Sequence, residues 1–124
     1  LADPALQANP SSGHAAGRAG ASRVAVARAQ VARLVNAPPE AVVFTSGATE
    51  SVNLAVLGAV RAAGAGRRHV VTSRVEHRAG VEACRQPERE GHEVTWVVPD
   101  RDGCIEAGQV ASALRDDTAL VSLM

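Results

Sequence analysis

At 124 residues the chain is long enough for one compact domain with a modest core and too short to suggest two. Its 13 basic and 13 acidic residues cancel, leaving no net field to favour nucleic acid or an anionic membrane surface. Every basic residue is arginine, so the chain offers no lysine amine for Schiff-base chemistry, a role the permanently charged guanidinium cannot take.

No apolar run reaches the roughly 20 residues of a membrane-spanning helix, and no basic-then-apolar leader opens the chain. Cys84 and Cys104 lack the paired spacing of a zinc or redox site, so they read as reduced thiols in a cytoplasm. The chain opens at Leu1 and stops at Met124 straight after an apolar run, so both ends read as cut.

Residues 1–20 are rich in Ala, Gly, Ser and Pro without a sustained period, and read as an arm leading into a helix. Over residues 21–35 the apolar positions Val24, Ala27, Val31, Leu34 and Val35 recur at helical spacing, with Arg23, Arg28 and Arg33 largely on the other side. Asn36 and the Pro38-Pro39 pair end that helix. The period then changes. Ala41-Val42-Val43-Phe44 predicts a first short strand, the next residues a tight turn, and residues 49–63 a helix stopped by Gly64 and Gly66. Val70-Val71-Thr72 predicts a buried strand, and residues 78–90 a helix that ends at Gly91 and is kinked or shortened by Pro87. A third strand over 93–98, a turn cluster over 99–103, a short helix over 106–114 and a fourth strand over 119–123 complete the order βαβαβαβ. That alternation predicts an α/β fold, a mainly parallel sheet with covering helices, whose ligands gather at the carboxyl ends of the strands. With no internal repeat or second domain in view, residues 1–124 read as a single partial domain.

Phe44-Thr45-Ser46-Gly47-Ala48-Thr49-Glu50 lies at a strand end and a helix start. Small residues there let backbone N–H groups approach an anion, the helix dipole favours negative charge, and the Thr49 hydroxyl adds a donor. An ordinary turn with Ser46 or Thr49 as helix cap accounts for the same residues. Thr72-Ser73-Arg74-Val75-Glu76-His77 follows the next strand, so its side chains emerge on the same sheet edge. The His77 imidazole can there stack on an aromatic ring or move protons near neutral pH, or be a partly exposed polar residue of a loop. Asn9-Pro10-Ser11-Ser12-Gly13-His14 brings amide, hydroxyl and imidazole groups that reach a neighbouring site or form a simple turn. His69 and His92 read as structural or solvated. Both cysteines read as inert, because no neighbour in the sequence would depress a thiol pKa.

Taken in order, Asn9-Pro10-Ser11-Ser12 with His14 and Gly17, Phe44-Thr45-Ser46-Gly47-Ala48-Thr49-Glu50, Glu76-His77, Arg89-Glu90-Gly91 and Asp116-Asp117-Thr118-Ala119-Leu120-Val121-Ser122 resemble successive landmarks of the cysteine desulfurases, class V members of the aminotransferase superfamily. The resemblance spans nearly the whole chain. It implies part of the large domain of the aspartate aminotransferase-type fold (fold type I), with pyridoxal 5'-phosphate as cofactor. On the matching positions it implies that Ala48 and Thr49 bind the cofactor phosphate, that Gly47 shapes the turn, and that His77 stacks over the pyridine ring and assists proton transfer. Asn9, Ser11 and His14 are candidates for the substrate or a neighbouring site.

The implied reaction takes sulfur from L-cysteine, leaves L-alanine and hands the sulfur to an acceptor or cluster scaffold protein for iron–sulfur assembly. The implied setting is a cytoplasmic homodimer without nucleic acid or membrane partners. The family's Schiff-base lysine, the aspartate on the pyridine nitrogen and the sulfur-carrying cysteine fall beyond the last residue, and its opening strand falls before the first. Pro87 stands where the family carries a helix former. Two readings follow: the cofactor-phosphate portion of a desulfurase, inactive alone, or a non-catalytic α/β module, whether anion-binding or one half of a split enzyme needing a lysine-bearing partner.

Overall fold

A computed structural model describes residues 8–124, so part of the predicted arm lies outside the described residues. The chain divides into two compact units, Leu1–Phe44 and Thr45–Met124.

The first unit carries α1 (Ala15–Leu34) and a 3-10 turn (Pro39–Ala41). α1 begins at Ala15, inside the stretch the sequence assigns to the arm. Alanine and glycine give no apolar period to read, yet alanine is the strongest helix former. His14 caps this early start by accepting the Gly17 amide on Nδ1 at 3.2 Å. Gly17 and Gly20 are buried because the arm crosses them. A Cβ at position 17 would sit 2.2 Å from the Ser12 carbonyl oxygen, and one at position 20 would sit 3.3 Å from that of Ala8.

The far end closes where Asn36 predicts. Asn36 takes φ 51°, and the amides of Asn36 and Ala37 return to the carbonyls of Arg33 and Ala32 at 3.4 and 2.9 Å. The apolar stripe is less buried than its period implies. Val31, Leu34 and Val35 are exposed, and the buried face is made of Gly17, Gly20 and Ala32, small residues that admit close approach.

The strand predicted at Ala41-Val42-Val43-Phe44 does not form. Ala41 closes the 3-10 turn, and Val42 is extended (φ −93°, ψ 120°) but belongs to no sheet. A strand is held by its ladder, and this unit offers no second strand among the described residues. Arg28 of α1 takes the segment instead. Its Nε–H donates to the Val42 carbonyl at 3.1 Å, and its guanidinium lies 5.2 Å from the centre of the Phe44 ring.

The second unit runs α2 (Ala48–Ala62), β1 (His69–Ser73), α3 (Arg78–Arg89), β2 (Glu93–Val97), α4 (Ala107–Ala113) and β3 (Thr118–Ser122). Each falls within a residue of its predicted bounds, because the glycines between them do take the left-handed conformation: φ is 76° at Gly64, 89° at Gly91 and 82° at Gly103. Pro87 does not stop α3. It stands buried in the last turn, where its missing N–H forfeits one bond, and its carbonyl accepts the His92 amide at 3.0 Å to close the helix.

The three strands form a parallel sheet in the order β2-β1-β3. All five residues of the central β1 are buried. Val56 and Val60 of α2 and Ala83 and Cys84 of α3 close over Val70, with Val52, Val94, Trp96 and Leu120 packed around them. The four-residue spacing of Val52, Val56 and Val60 turns one stripe of α2 onto this core. No helix among the described residues is long and apolar enough to cross a membrane.

β1 opens with a histidine that is 0% exposed. The His69 ring lies 2.9 Å from Thr118 Oγ1 through Nδ1 and 2.8 Å from Thr95 Oγ1 through Nε2, so one side chain ties all three strands. Of the structural and solvated readings, the structural one holds. Burial, and secondarily the Arg115 charge, lower its pKa, while Asp117 and Glu93 act the other way. Arg115 forks onto Asp117 (Nε to Oδ1 2.8 Å, Nη2 to Oδ2 2.7 Å) and also bonds Glu93, and its hydrogen bonds hold the Asp117 carboxyl below the usual range.

Candidate functional site

The turn ahead of α2 is shaped by its own side chains. Glu50 folds back so that its carboxylate accepts the Ser46 hydroxyl at 2.6 Å and the Ser46 amide at 2.7 Å. Those two bonds hold the carboxyl below its ordinary pKa. The Thr45 and Ser51 hydroxyls share a 2.6 Å bond, and each reaches the Gly47 carbonyl at 3.2 Å. Gly47 is the N-cap, with an extended backbone and open space where a Cβ would stand. Neither Ser46 nor Thr49 caps the helix, so the ordinary-turn reading in that form is not what the chain adopts.

Ser51 is the first amide bonded along the helix, to the Gly47 carbonyl at 3.1 Å. The amides of Ala48 and Thr49 precede it, without intrahelical acceptors, at the positive end of the α2 dipole.

Thr49 and Asn53 of α2 and Arg78, Ala79 and Glu82 of α3, with His77, line one cavity of about 310 Å³. Two helix N-termini therefore open on one space. His77 is the N-cap of α3, and its Nδ1 accepts the Ala79 amide at 3.1 Å. Accepting at Nδ1 places the proton of the neutral ring on Nε2, so the ring presents an N–H donor to the cavity, and net proton transfer at Nε2 requires Nδ1 to release the Ala79 amide.

The structure thus brings Thr49 and His77 together, with Gly47 and Ala48 immediately ahead of Thr49 in the chain. Asn9, Ser11 and His14 lie in the first unit, where their groups serve locally. Asn9 Oδ1 accepts the Ser11 amide at 2.9 Å, the Asn9 carbonyl accepts the Ser12 amide at 3.0 Å, and His14 caps α1.

A larger cavity, about 480 Å³, borders another face of α3 and is lined by Arg74, Val81, Arg85, Glu88 and Trp96. Arg85 is paired with Glu82 at 3.0 Å, and Glu88 takes the Trp96 indole N–H at 3.4 Å. No helix N-terminus and no histidine line it, so size alone does not make it the site.

Two residues here escaped the sequence reading as working parts. Glu50 stood only within a longer segment, and Glu76 was marked as part of the Glu76-His77 landmark without a role of its own. Glu76 accepts hydrogen bonds from the Ser73 hydroxyl and the Met124 amide.

The cysteines differ sharply. Cys84 is fully buried, and burial raises its thiol pKa; contact with the Thr72 hydroxyl lowers it and the Glu76 charge raises it further. Cys104 is exposed in the turn before α4. In native protein Ellman's reagent is expected to label Cys104 and to spare Cys84 until denaturant is added. Equal labelling rates for the two thiols would contradict the burial of Cys84.

A profile of the family described as Aminotransferase class-V matches residues 5–124. The chain is 49% identical over 117 residues to "Cysteine desulfurase IscS" of Salmonella paratyphi B and of Salmonella newport, covering 94% of this chain and 29% of each relative. Among solved structures, DndA from Streptomyces lividans matches with a TM-score of 0.83 at 40% identity, over 96% of this chain and 34% of that one. A structure of SspA in complex with cysteine matches with a TM-score of 0.84 at 34% identity, over 98% of this chain and 35% of that one. The chain therefore spans under a third of the length of these curated relatives, 29%.

Proposed function

The chain belongs to the class-V aminotransferase family, and on that premise we propose that it is the phosphate-anchoring portion of a pyridoxal-phosphate-dependent cysteine desulfurase. The observation that carries this reading is the cavity shared by the N-terminal turns of α2 and α3, with Thr49 on one helix and His77 at the head of the other.

The residues present fit the cofactor's phosphate. The Ala48 and Thr49 amides lack intrahelical acceptors, Gly47 keeps side-chain bulk away from an approaching anion, and Glu50 spends its negative charge on Ser46. In this reading Ala48 and Thr49 hold the phosphate, Gly47 shapes the turn, and His77 lies against the pyridine ring, donates a hydrogen bond from Nε2–H, and assists proton transfer there when Nδ1 releases the Ala79 amide. The group, when bound, supplies an electron sink for the substrate carbon. Asn9, Ser11 and His14 remain candidates for the substrate or a neighbouring site.

L-Cysteine is the proposed substrate, L-alanine the product, and an acceptor or scaffold protein of iron–sulfur assembly the recipient of the sulfur. The desulfurase relatives and the cysteine-bound neighbour support this choice. A cytoplasmic homodimer, with residues 1–124 as part of its large domain, belongs to the same proposal. Because the chain contains no lysine, it is expected to form no alanine from L-cysteine by itself.

The test is an absorbance titration with pyridoxal phosphate, with inorganic phosphate as competitor and borohydride as trap. Saturable binding that phosphate displaces, with no reducible adduct, supports the cradle; binding indifferent to phosphate sinks it. Thr49→Val removes one hydroxyl at nearly constant shape. It is expected to weaken pyridoxal phosphate binding about tenfold, the effect of one hydrogen bond to a charged group, and to leave affinity for unphosphorylated pyridoxal unchanged. Equal affinity of the variant and the unsubstituted protein for pyridoxal phosphate would remove Thr49 from the site.

A further inference from the structure

The His77 side chain is exposed and makes one short-range bond, to the Ala79 amide, and the His77 carbonyl accepts the Gly80 and Val81 amides at 2.8 and 3.1 Å, so the ring's place at the cavity depends on what holds the segment ahead of α3. That segment joins β1 to α3; its start is held by the Arg74 amide, which donates to the Val97 carbonyl at 3.1 Å, and its end by Glu76, the neighbour of His77 in sequence. Glu76 is half-buried, and a single carboxylate oxygen, Oε1, accepts two bonds of 2.7 Å. One comes from the Ser73 hydroxyl at the carboxyl end of β1, the other from the Met124 amide just past β3. Ser73 closes β1 and Met124 follows β3 by two residues, so the two donors stand at the carboxyl ends of adjacent parallel strands. The other side of the carboxylate lies against the first turn of α3, since a Cβ at Gly80 would stand 3.4 Å from Oε2 and 3.5 Å from the Glu76 Cβ, ordinary contact distances.

We propose that Glu76 is the positioning residue for His77: it clamps the β1–α3 segment across the carboxyl ends of β1 and β3 and so fixes the imidazole at the cavity. The inference rests on the reading of His77 as a cofactor-facing residue. A carboxylate suits the task because hydrogen bonds to an ionised acceptor are stronger than those between neutral groups, and one oxygen can take both donors. Neighbouring residues divide the work, the carboxylate turned onto the strand ends and the ring onto the cavity. Glu76 touches neither substrate nor cofactor and acts only through its neighbour.

The test is a double-mutant cycle read as pyridoxal phosphate affinity, with His77 ring nitrogen shifts as a second readout that needs no cofactor. Glu76→Ala is expected to weaken binding about tenfold and to have less than about a twofold effect once His77→Ala is present, the non-additivity of residues acting as a unit. Glu76→Gln, which keeps an oxygen acceptor for both donors but gives up the charge, is expected to weaken binding about threefold, less than Glu76→Ala does. Ser73→Ala, which removes one donor and leaves the backbone intact, serves if Glu76→Ala does not fold and is expected to weaken binding about threefold. In the unsubstituted protein the ring shifts are expected to show one tautomer, protonated at Nε2, and in Glu76→Ala an average of both.

Additive effects of Glu76→Ala and His77→Ala, or unaltered ring shifts in both Glu76→Ala and Ser73→Ala, overturn the proposal. Failure of the unsubstituted protein to bind pyridoxal phosphate at all overturns the cofactor reading itself, and is seen before any variant is made.

Discussion

His77→Ala in the whole protein is expected to lower turnover of L-cysteine by about 10²- to 10⁴-fold, the contribution of a positioned acid–base group. Loss of ring stacking adds a smaller effect on cofactor affinity, about three- to tenfold. The prediction follows from the ring's place at the cavity, where proton transfer at Nε2 opens the bond at Nδ1. Nδ1 is committed to the Ala79 amide, so the neutral ring presents Nε2–H at the cavity, and no other histidine lines it. The same bond complicates the variant, because it caps α3, and removing a cap costs about 1 kcal/mol. His77→Asn separates the two roles: asparagine is a strong N-cap but has no imidazole. Both variants are expected to lose turnover, and only the alanine variant to lose thermal stability. Turnover within threefold of the unsubstituted enzyme in His77→Asn would mean that His77 moves no proton in the rate-limiting step.

The second large effect concerns folding. His69→Ala is expected to destabilise the protein by about 3–5 kcal/mol, as large-to-small changes at fully buried ring positions do. The cost has two parts: a void at the amino-terminal end of the central strand, and Thr95 and Thr118 hydroxyls deprived of their ring partner. A denaturant titration measures it, and a loss below about 1 kcal/mol would show that the three-strand clasp is not structural.

Acid should act in the same direction. The folded state lowers the pKa of His69 while the unfolded chain titrates near the ordinary value of about 6.5, so on acidification the unfolded state takes up the proton first. The contribution of His69 is therefore complete above about pH 6.5 and is lost as pH falls from there through the depressed folded value. The denaturation midpoint should drop between pH 7.5 and 5, and the drop should be smaller in His69→Ala.

Much of the second unit was legible because its punctuation is chemical. Gly64, Gly91 and Gly103 stand where the backbone turns left-handed, and the valine stripe of α2 has one period throughout. Thr49 and His77 were expected to meet because two strand ends share one sheet edge; the first of those strands does not form, and the two residues meet because each sits at the start of a helix bordering one cavity. The failures lie where a local window carries no signal. Ala15 to Gly20 have no amphipathic contrast, so a helix start passed for an arm. Ala41 to Phe44 have strand-like side chains, but a strand needs a partner and Arg28 supplied another one. The clasp at His69 depends on hydroxyls 26 and 49 positions away, and the reach of Glu76 to Met124 spans 48, separations invisible to spacing arguments.

The slot across Gly17 and Gly20 has a kinetic corollary. Each glycine is about 1 kcal/mol poorer than alanine as a helix former, so the opening turns of α1 are weak on their own. They gain their stability when the Ser12 and Ala8 carbonyls lie across the helix, an approach no side chain at position 17 would permit. Residues 8–12 and the start of α1 therefore stabilise each other, and a chain in which those residues have not yet crossed the helix is expected to hold only its later part.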